Sequence, residues 1–333
     1  MKRKVFYTGI LLGLFIGING LWGESFFFKA GVGAGYDSNL FSDPDAIAGI
    51  LGMINIQSEG VFGEEPLQFY GGLDIYGELN QYYMSLDGKA AAGLIIKPNI
   101  YSIIKAIGAY QYYMNVFGAV NASAEFKGDL TPGLTGGVTY ELRSQSSLSG
   151  ATNETYINHG VKVNAFMDIT DFLLADISVN GGLRTYTDVI PSAPLGNNMI
   201  GATMAFILVP DYNTDIKLGY TFSDYMSSRS GLTVFSTTNM LYTYNNAAVH
   251  TVFLELNYDI SLEWSLTLMG RVDFITLNDI AKSETAYLAG VKTDIFIDPS
   301  VKLEIPLIFS GLTSEVIDNY NKLRVSFNIN FLL

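Results

Sequence analysis

The chain has 333 residues, no cysteine and a net charge of -13, with 49% hydrophobic residues and only 15% charged. The absence of cysteine argues against a lipid anchor on an N-terminal Cys and against a disulfide framework, and the acidic balance argues against nucleic acid as a partner. The 34 Gly, 21 Tyr and 21 Phe set in a strongly apolar chain suit a sheet in contact with lipid rather than a soluble enzyme core.

At the N-terminus, Lys2, Arg3 and Lys4 precede an apolar run from Val5 to Ile18 that ends in small and turn-forming residues. This reads as a secretory signal peptide over residues 1–23, with cleavage expected after Gly23. Its loss removes three cations and leaves the remainder, residues 24–333, at -16. Beyond it no uninterrupted apolar run approaches the length of a spanning helix. Lipid offers no hydrogen bonds to the backbone, so an exported chain without helical spans crosses a membrane only as a closed sheet.

The first strand is expected almost at the cleavage site, with Phe26, Phe28, Ala30, Val32, Ala34 and Tyr36 on one face and Lys29, Gly31, Gly33 and Gly35 on the other. Asp37, Ser38 and Asn39 open a loop, and a weaker strand follows from about Ile47 to Phe62. The alternation of Leu67, Phe69, Gly71, Leu73, Ile75 and Leu79 with Gln68, Tyr70, Asp74, Tyr76 and Glu78 is among the clearest in the chain. It recurs in residues 134–142, 161–169, 173–183, 216–222, 252–260, 264–274, 287–297 and 301–309. Residues 100–113 and 198–209 are apolar on both faces and do not reveal their orientation. The last strand sets Leu323, Val325, Phe327, Ile329, Phe331 and Leu333 against Lys322, Arg324, Ser326, Asn328 and Asn330.

Short turn signals fall at Glu64, Pro98, Thr131, Thr170, Asp211, Leu262 and Pro299. Seven short turns predict an all-β, antiparallel, up-and-down transmembrane barrel of about 16 strands, or about 14 if the turns near Pro98 and Asn115 are not real. Removing residues 1–23 leaves roughly nineteen residues per strand, against the roughly 9 to 11 needed to span. The longest connection, residues 227–246, carries Val234, Phe235, Met240, Leu241, Tyr242 and Tyr244 and is expected to fold over or into the barrel mouth as a constriction loop; a hairpin extended beyond the membrane is the alternative.

The parity of each strand turns a balanced set of charges inward: Lys29, Lys127, Arg143, Lys162, Arg184, Lys217, Arg271, Lys292, Lys302 and Arg324 face Asp74, Glu78, Glu125, Glu141, Asp176, Asp215, Glu255, Asp273, Asp294 and Glu304. These are the expected pore-lining residues, and a barrel of about 16 strands is too wide for side chains alone to fill. Arg324 is expected to tune selectivity without bearing on folding. Tyr82, Tyr83, Tyr112, Tyr113, Tyr140, Tyr156, Tyr186 and Tyr225 gather at one set of strand ends, and Tyr258 and Trp264 at the other, as interfacial girdles. His159 and His250 share parity with lipid-facing residues near the rim, a poor place for a catalytic base. With no nucleophile elbow and no metal-ligand set, the chain is expected to be no enzyme and to need no cofactor.

The segment Gly31-Val32-Gly33-Ala34-Gly35-Tyr36-Asp37-Ser38-Asn39-Leu40-Phe41 resembles a motif at the first strand and loop of several bacterial outer-membrane barrel families, among them the barrel domains of surface lipoprotein assembly modifiers. The residues alone also fit a bulged strand end followed by an Asx turn. The final strand resembles the C-terminal recognition signal of outer-membrane proteins, with the aromatic Phe331 two residues before the end. This second resemblance implies assembly by the outer-membrane insertion machinery.

Together these readings lead to a porin-like barrel in the outer membrane of a diderm bacterium, surrounded by lipid and passing small hydrophilic solutes or ions. The alternatives are a non-conducting surface barrel whose loops bind external partners, and an export barrel of envelope biogenesis. Neither the solute nor the oligomeric state is legible.

Overall fold

The computed structural model describes residues 25–39, 47–114, 117–147, 155–186, 196–227, 232–236, 241–244, 246–278, 282–315 and 319–333. The expected signal peptide, residues 1–23, lies outside them. The strands in chain order are β1 (Ser25–Asp37), β2 (Gly49–Phe62), β3 (Leu67–Leu79), β4 (Met84–Asn99), β5 (Ser102–Tyr113), β6 (Phe117–Thr131), β7 (Leu134–Ser147), β8 (Tyr156–Thr170) and β9 (Leu173–Tyr186). They continue with β10 (Gly196–Asp211), β11 (Thr214–Ser227), β12 (Leu232–Ser236), β13 (Leu241–Tyr244), β14 (Ala247–Asp259), β15 (Trp264–Leu277), β16 (Lys282–Asp298), β17 (Val301–Ser314) and β18 (Tyr320–Leu332).

All of these except β12 and β13 form one closed antiparallel barrel of sixteen strands, each paired with its chain neighbours, with β11 joined to β14 and β18 returning to β1. The alternation of the sequence explains the wall. Val32, Phe69, Val120, Val179 and Phe327 stand on one exposed face, and the polar residues between them stand on the other. Closure leaves no free edge along the wall. The seam is continuous to the last residue, because Phe28 and Leu333 exchange backbone hydrogen bonds of 3.1 and 2.9 Å. In β17 the pairing with β18 lapses at Ile305 and Pro306 and resumes in the same register at Leu307↔Val325. A proline has no N–H to give the ladder.

Short reversals at one end separate β2 from β3, β4 from β5, β6 from β7, β8 from β9, β10 from β11, β14 from β15 and β16 from β17. One turn is displaced from its expected place. β4 runs through Pro98 to Asn99, and the chain reverses at Ile100 and Tyr101, where the Asn99 Oδ1 accepts from the Tyr101 N–H at 2.8 Å. The end-of-strand position tolerates Pro98, and the Asx turn one residue later makes the reversal.

β12 and β13 lie within the long 227–246 connection. They pair only with each other, Val234 opposite Tyr242, in a two-stranded sheet of their own. Of the expected constriction residues, Val234, Phe235, Leu241, Tyr242 and Tyr244 belong to this hairpin's backbone. Met240 lies outside the described residues.

Candidate functional site

Register connects the charged residues of different strands into one surface. Lys29 pairs with Gln57, Gln57 with Asp74, Asp74 with Lys89 and Lys89 with Gln111. Followed around the wall in this way, the pairing sets all twenty charged residues expected in the lumen on a single face. That this face is concave follows from Arg324 of β18 reaching Glu78 of β3. Three strand spacings of about 4.8 Å separate the two backbones, a gap that side chains bridge only along a chord inside the wall.

Glycine makes the chord possible. The inward positions of β1 are Lys29, Gly31, Gly33, Gly35 and Asp37, so over much of its length the first strand offers no side chain to the lumen. A Cβ on Gly31 would lie 2.1 Å from the Asn55 Oδ1 and 2.2 Å from the Asn330 Oδ1, and one on Gly33 would lie 2.0 Å from the Asn328 Oδ1. Side chains of β18, β2 and β3 meet in that furrow. Asn55 Nδ2 donates to Asn330 Oδ1 at 3.1 Å over Gly31, and Arg324 Nη2 donates to Glu78 Oε2 at 2.5 Å and to the Tyr76 hydroxyl at 3.1 Å. Tyr83, in the connection after β3, donates its hydroxyl to the other Glu78 oxygen. Burial, and then that hydrogen bond, push the Tyr83 phenol well above its ordinary pKa and keep it a donor.

At the rim of this seam Asp37 and Lys322 form a fully buried ion pair at 2.9 Å. The Asn39 N–H donates to Asp37 Oδ1 at 2.9 Å, which is the expected Asx turn, while the expected bulge is absent because β1 keeps one register on both sides. Ser38 Oγ accepts from the Leu323 N–H at 2.8 Å. The Gly-rich strand and the Asp-Ser-Asn that follows it thus form one device for closing the barrel. A second network below it runs Lys29–Glu304 (3.0 Å), Glu304–Lys302 (2.5 Å), Lys302–Asp294 (3.5 Å) and Asp294–Lys292 (3.0 Å).

Arg324 is therefore engaged by both Glu78 and Tyr76, and its ion pair with the buried Glu78 argues against the expectation that it has no bearing on folding. Elsewhere the inner face is more open. Glu125 pairs with Lys105 at 3.6 Å and Arg271 with Asp273 at 2.8 Å, while Asp215 and Glu255 both accept from Asn257. Lys217 lies over the Phe253 ring, and Asp176 is part-buried. Arg143 donates to the neutral oxygens of Gln111, Asn121 and Gln145, and Arg184 stacks 4.3 Å from the Tyr156 ring centroid. Asp74, Lys127, Glu141, Lys162, Glu255 and Arg271 point inward and are nevertheless exposed to solvent.

Sequence reasoning missed the inward Glu59, Asp87, Lys89, Lys105 and Glu284; Lys322 lies inward as the parity of the last strand predicts. Lys89 and Lys105 belong to strands in which Ala, Gly and Ile occur on both faces, so their partners reveal their face. The girdle reading divides. Tyr82, Tyr140, Tyr258 and Trp264 are exposed on the outside, whereas Tyr113 stacks on Phe117 and Tyr156 is buried and donates to Gln145, both on the inner face, where Tyr225 packs beside buried Ala247 and Val249. Period two settles this in retrospect, since adjacent tyrosines such as Tyr112 and Tyr113 must face opposite ways. His159 and His250 stand on the lipid-facing side, each sharing a hydrogen bond with a tyrosine on a neighbouring strand, Tyr140 at 2.8 Å and Tyr220 at 2.6 Å.

No protein-family model matches the chain, and no curated protein matches it in sequence. Solved structures do match in shape. Acinetobacter baumannii OccAB4 is similar with a TM-score of 0.58 at 8% identity, over 93% of this chain and 99% of that one. The outer membrane channel DcaP of Acinetobacter baumannii gives 0.57 at 10% identity, over 93% and 96%. A bacterial polysaccharide outer membrane secretin gives 0.53 at 11% identity, over 91% and 97%. The likeness shows the fold, a barrel of the kind found in bacterial outer-membrane channels.

Proposed function

We propose that the protein is a channel of the outer membrane of a diderm bacterium, exported by a cleaved signal peptide over residues 1–23, inserted by the outer-membrane assembly machinery and passing small hydrophilic solutes or ions. One observation carries the reading: within a closed wall of sixteen strands, charged residues that point inward remain exposed. Side chains that fill an interior bury one another. Charges that stay wet inside a barrel line water-accessible space, and both signs along it set a transverse field for whatever passes. The fold is shared with proteins described as outer membrane channels, which supports the same conclusion.

Purified protein in planar lipid bilayers tests this. Stepwise conductance at neutral pH is the expected result, and silence across a range of voltages and salts contradicts it.

We assign the 227–246 connection a constricting role at the mouth. On the inner face, starting next to its base on β14 and running across β15 and β16 to β17, Val249, Ile275, Leu277, Ala286 and Leu312 form a buried apolar cluster, an unusual lining for a solute path. The apolar residues Val234, Phe235, Met240, Leu241, Tyr242 and Tyr244 are chemically suited to rest on such a surface. Deleting residues 228–245 is expected to raise the single-channel conductance, and an unchanged conductance contradicts the assignment.

A further inference from the structure

Several of the short turns end in residues that turn chemistry does not call for. Tight reversals favour Gly, Asn, Asp, Ser and Pro, each for a conformational reason. Yet Ile100 and Tyr101 make the β4–β5 turn, Phe172 stands in the β8–β9 turn, Tyr212 in the β10–β11 turn and Leu262 at the tip between β14 and β15. Leu262, Tyr212 and Ile100 are 97, 92 and 85% exposed, whereas Val32, Phe69, Val179 and Phe327 on the lipid-facing wall are 54 to 57% exposed, flanked by their strand neighbours. The turn residues therefore stand clear of the wall instead of continuing it.

Their backbone is fixed. Along this arc each turn carbonyl accepts from the strand beyond it: Tyr101 from the Asp129 N–H at 2.9 Å, and Gly133 from Asp168, Phe172 from Val209 and Asn213 from Asp259 at 2.8 Å each. Consecutive turns lie about 10 Å apart, two strand spacings, so the five turns from β4–β5 to β14–β15 run over about 40 Å of rim. A surface held rigid before contact loses little freedom on binding.

Charge selects the occupant. The seven short turns, residues 63–66, 97–101, 129–133, 168–172, 211–213, 259–263 and 298–300, contain nine carboxylates, all exposed, and one cation, Lys97, which Glu65 holds at 2.6 Å. Turn chemistry explains Asp211 and Asp298, which accept from the Asn213 and Ser300 N–H groups, but it does not call for Asp171, Asp259 or Glu263. Lipid headgroups carry phosphate, which these carboxylates repel. A second copy docked end to end would set carboxylates against carboxylates.

We propose that this arc docks a periplasmic protein whose contact face is basic and offers pockets for the exposed apolar tips. The periplasmic placement rests on the outer-membrane reading, in which short turns face the periplasm. Aromatic and aliphatic anchors set in a charged surround match the apolar centre and polar rim of a protein interface.

The test places the photo-crosslinking residue p-benzoylphenylalanine at Leu262 or Tyr212 of the full-length barrel in its native envelope, with Phe309 on the lipid-facing wall as the control. One basic protein crosslinked from both tips and not from Phe309 is the expected result. That protein, purified and titrated against the barrel in nanodiscs, is expected to bind about tenfold or more weakly to Tyr212→Ser/Leu262→Ser and to Asp171→Asn/Asp259→Asn/Glu263→Gln than to wild type. Heat-modifiable gel mobility confirms that each variant is folded. Adducts with lipid alone, with a second copy of this chain or with nothing overturn the docking surface, as does equal binding by wild type and both variants. Bilayer recordings separate the two claims: conductance without a protein adduct removes the surface and keeps the channel, and an adduct on a silent barrel does the opposite.

Discussion

The two sides of the lumen spend their charges differently. From β16 through β18 and on to β3, Lys29, Lys292, Lys302, Lys322 and Arg324 are each tied to a carboxylate, and two of the pairs, Lys29 with Glu304 and Arg324 with Glu78, bridge strands that are not neighbours. From β7 to β9, Arg143 and Arg184 touch only amides and an aromatic ring, and Glu141 and Lys162 stand in solvent. Strength and availability are alternatives for a side chain: a charge neutralised inside the wall contributes to holding the barrel shut, and one left uncancelled is free to act on a solute. The first side is where the first and last strands meet, and that is where the long-range pairing entropy of closing a barrel must be offset.

If the seam holds the barrel closed, damage there must cost stability, and the largest effect is expected from Glu78→Ala. It strands Arg324 in a buried setting beside Tyr76, and breaking such a pair costs about 3 to 5 kcal/mol. Urea unfolding of the barrel from lipid vesicles reads this directly, and a shift of the midpoint no larger than that of an Ala substitution at the exposed Lys162 removes the distinction between the walls. Gly33→Ala comes next. Its Cβ would meet the Asn328 amide oxygen at 2.0 Å and the Phe327 carbonyl at 2.7 Å, and such overpacking costs about 1 to 3 kcal/mol. Unfolding from the same vesicles measures it, and no loss of stability contradicts the furrow.

Much of this was legible in the sequence. Most of the strands, an antiparallel barrel of about sixteen staves and the face of every charge named as pore-lining follow from period two and turn chemistry. What parity does not carry is which side chains meet across the wall. Nothing in Glu78 and Arg324, separated by most of the chain, marks them as partners; they meet because three glycines in β1 remove what would stand between them. For the same reason the motif around Gly31 to Asn39 reads from sequence as a strand end and a turn, and from structure as a latch. β4 and β5 hid their lumen charges because Ala, Gly and Ile occupy both of their faces. The division of the tyrosines is legible in principle, since neighbours in a strand point opposite ways, whereas residue type alone does not separate the two faces.

The most direct test of a lumen with one closed and one open side uses the absence of native cysteine, which makes any introduced thiol unique. Lys162→Cys and Asn330→Cys both place a thiol on the inner face, the first in an exposed position and the second in the fully buried furrow of the seam. A charged, membrane-impermeant maleimide applied to the folded barrel in vesicles is expected to label Cys at 162 readily and to leave Cys at 330 unlabelled until the protein is unfolded. A folded barrel in which position 162 is as protected as position 330 would contradict the water-accessible lumen on which the account depends.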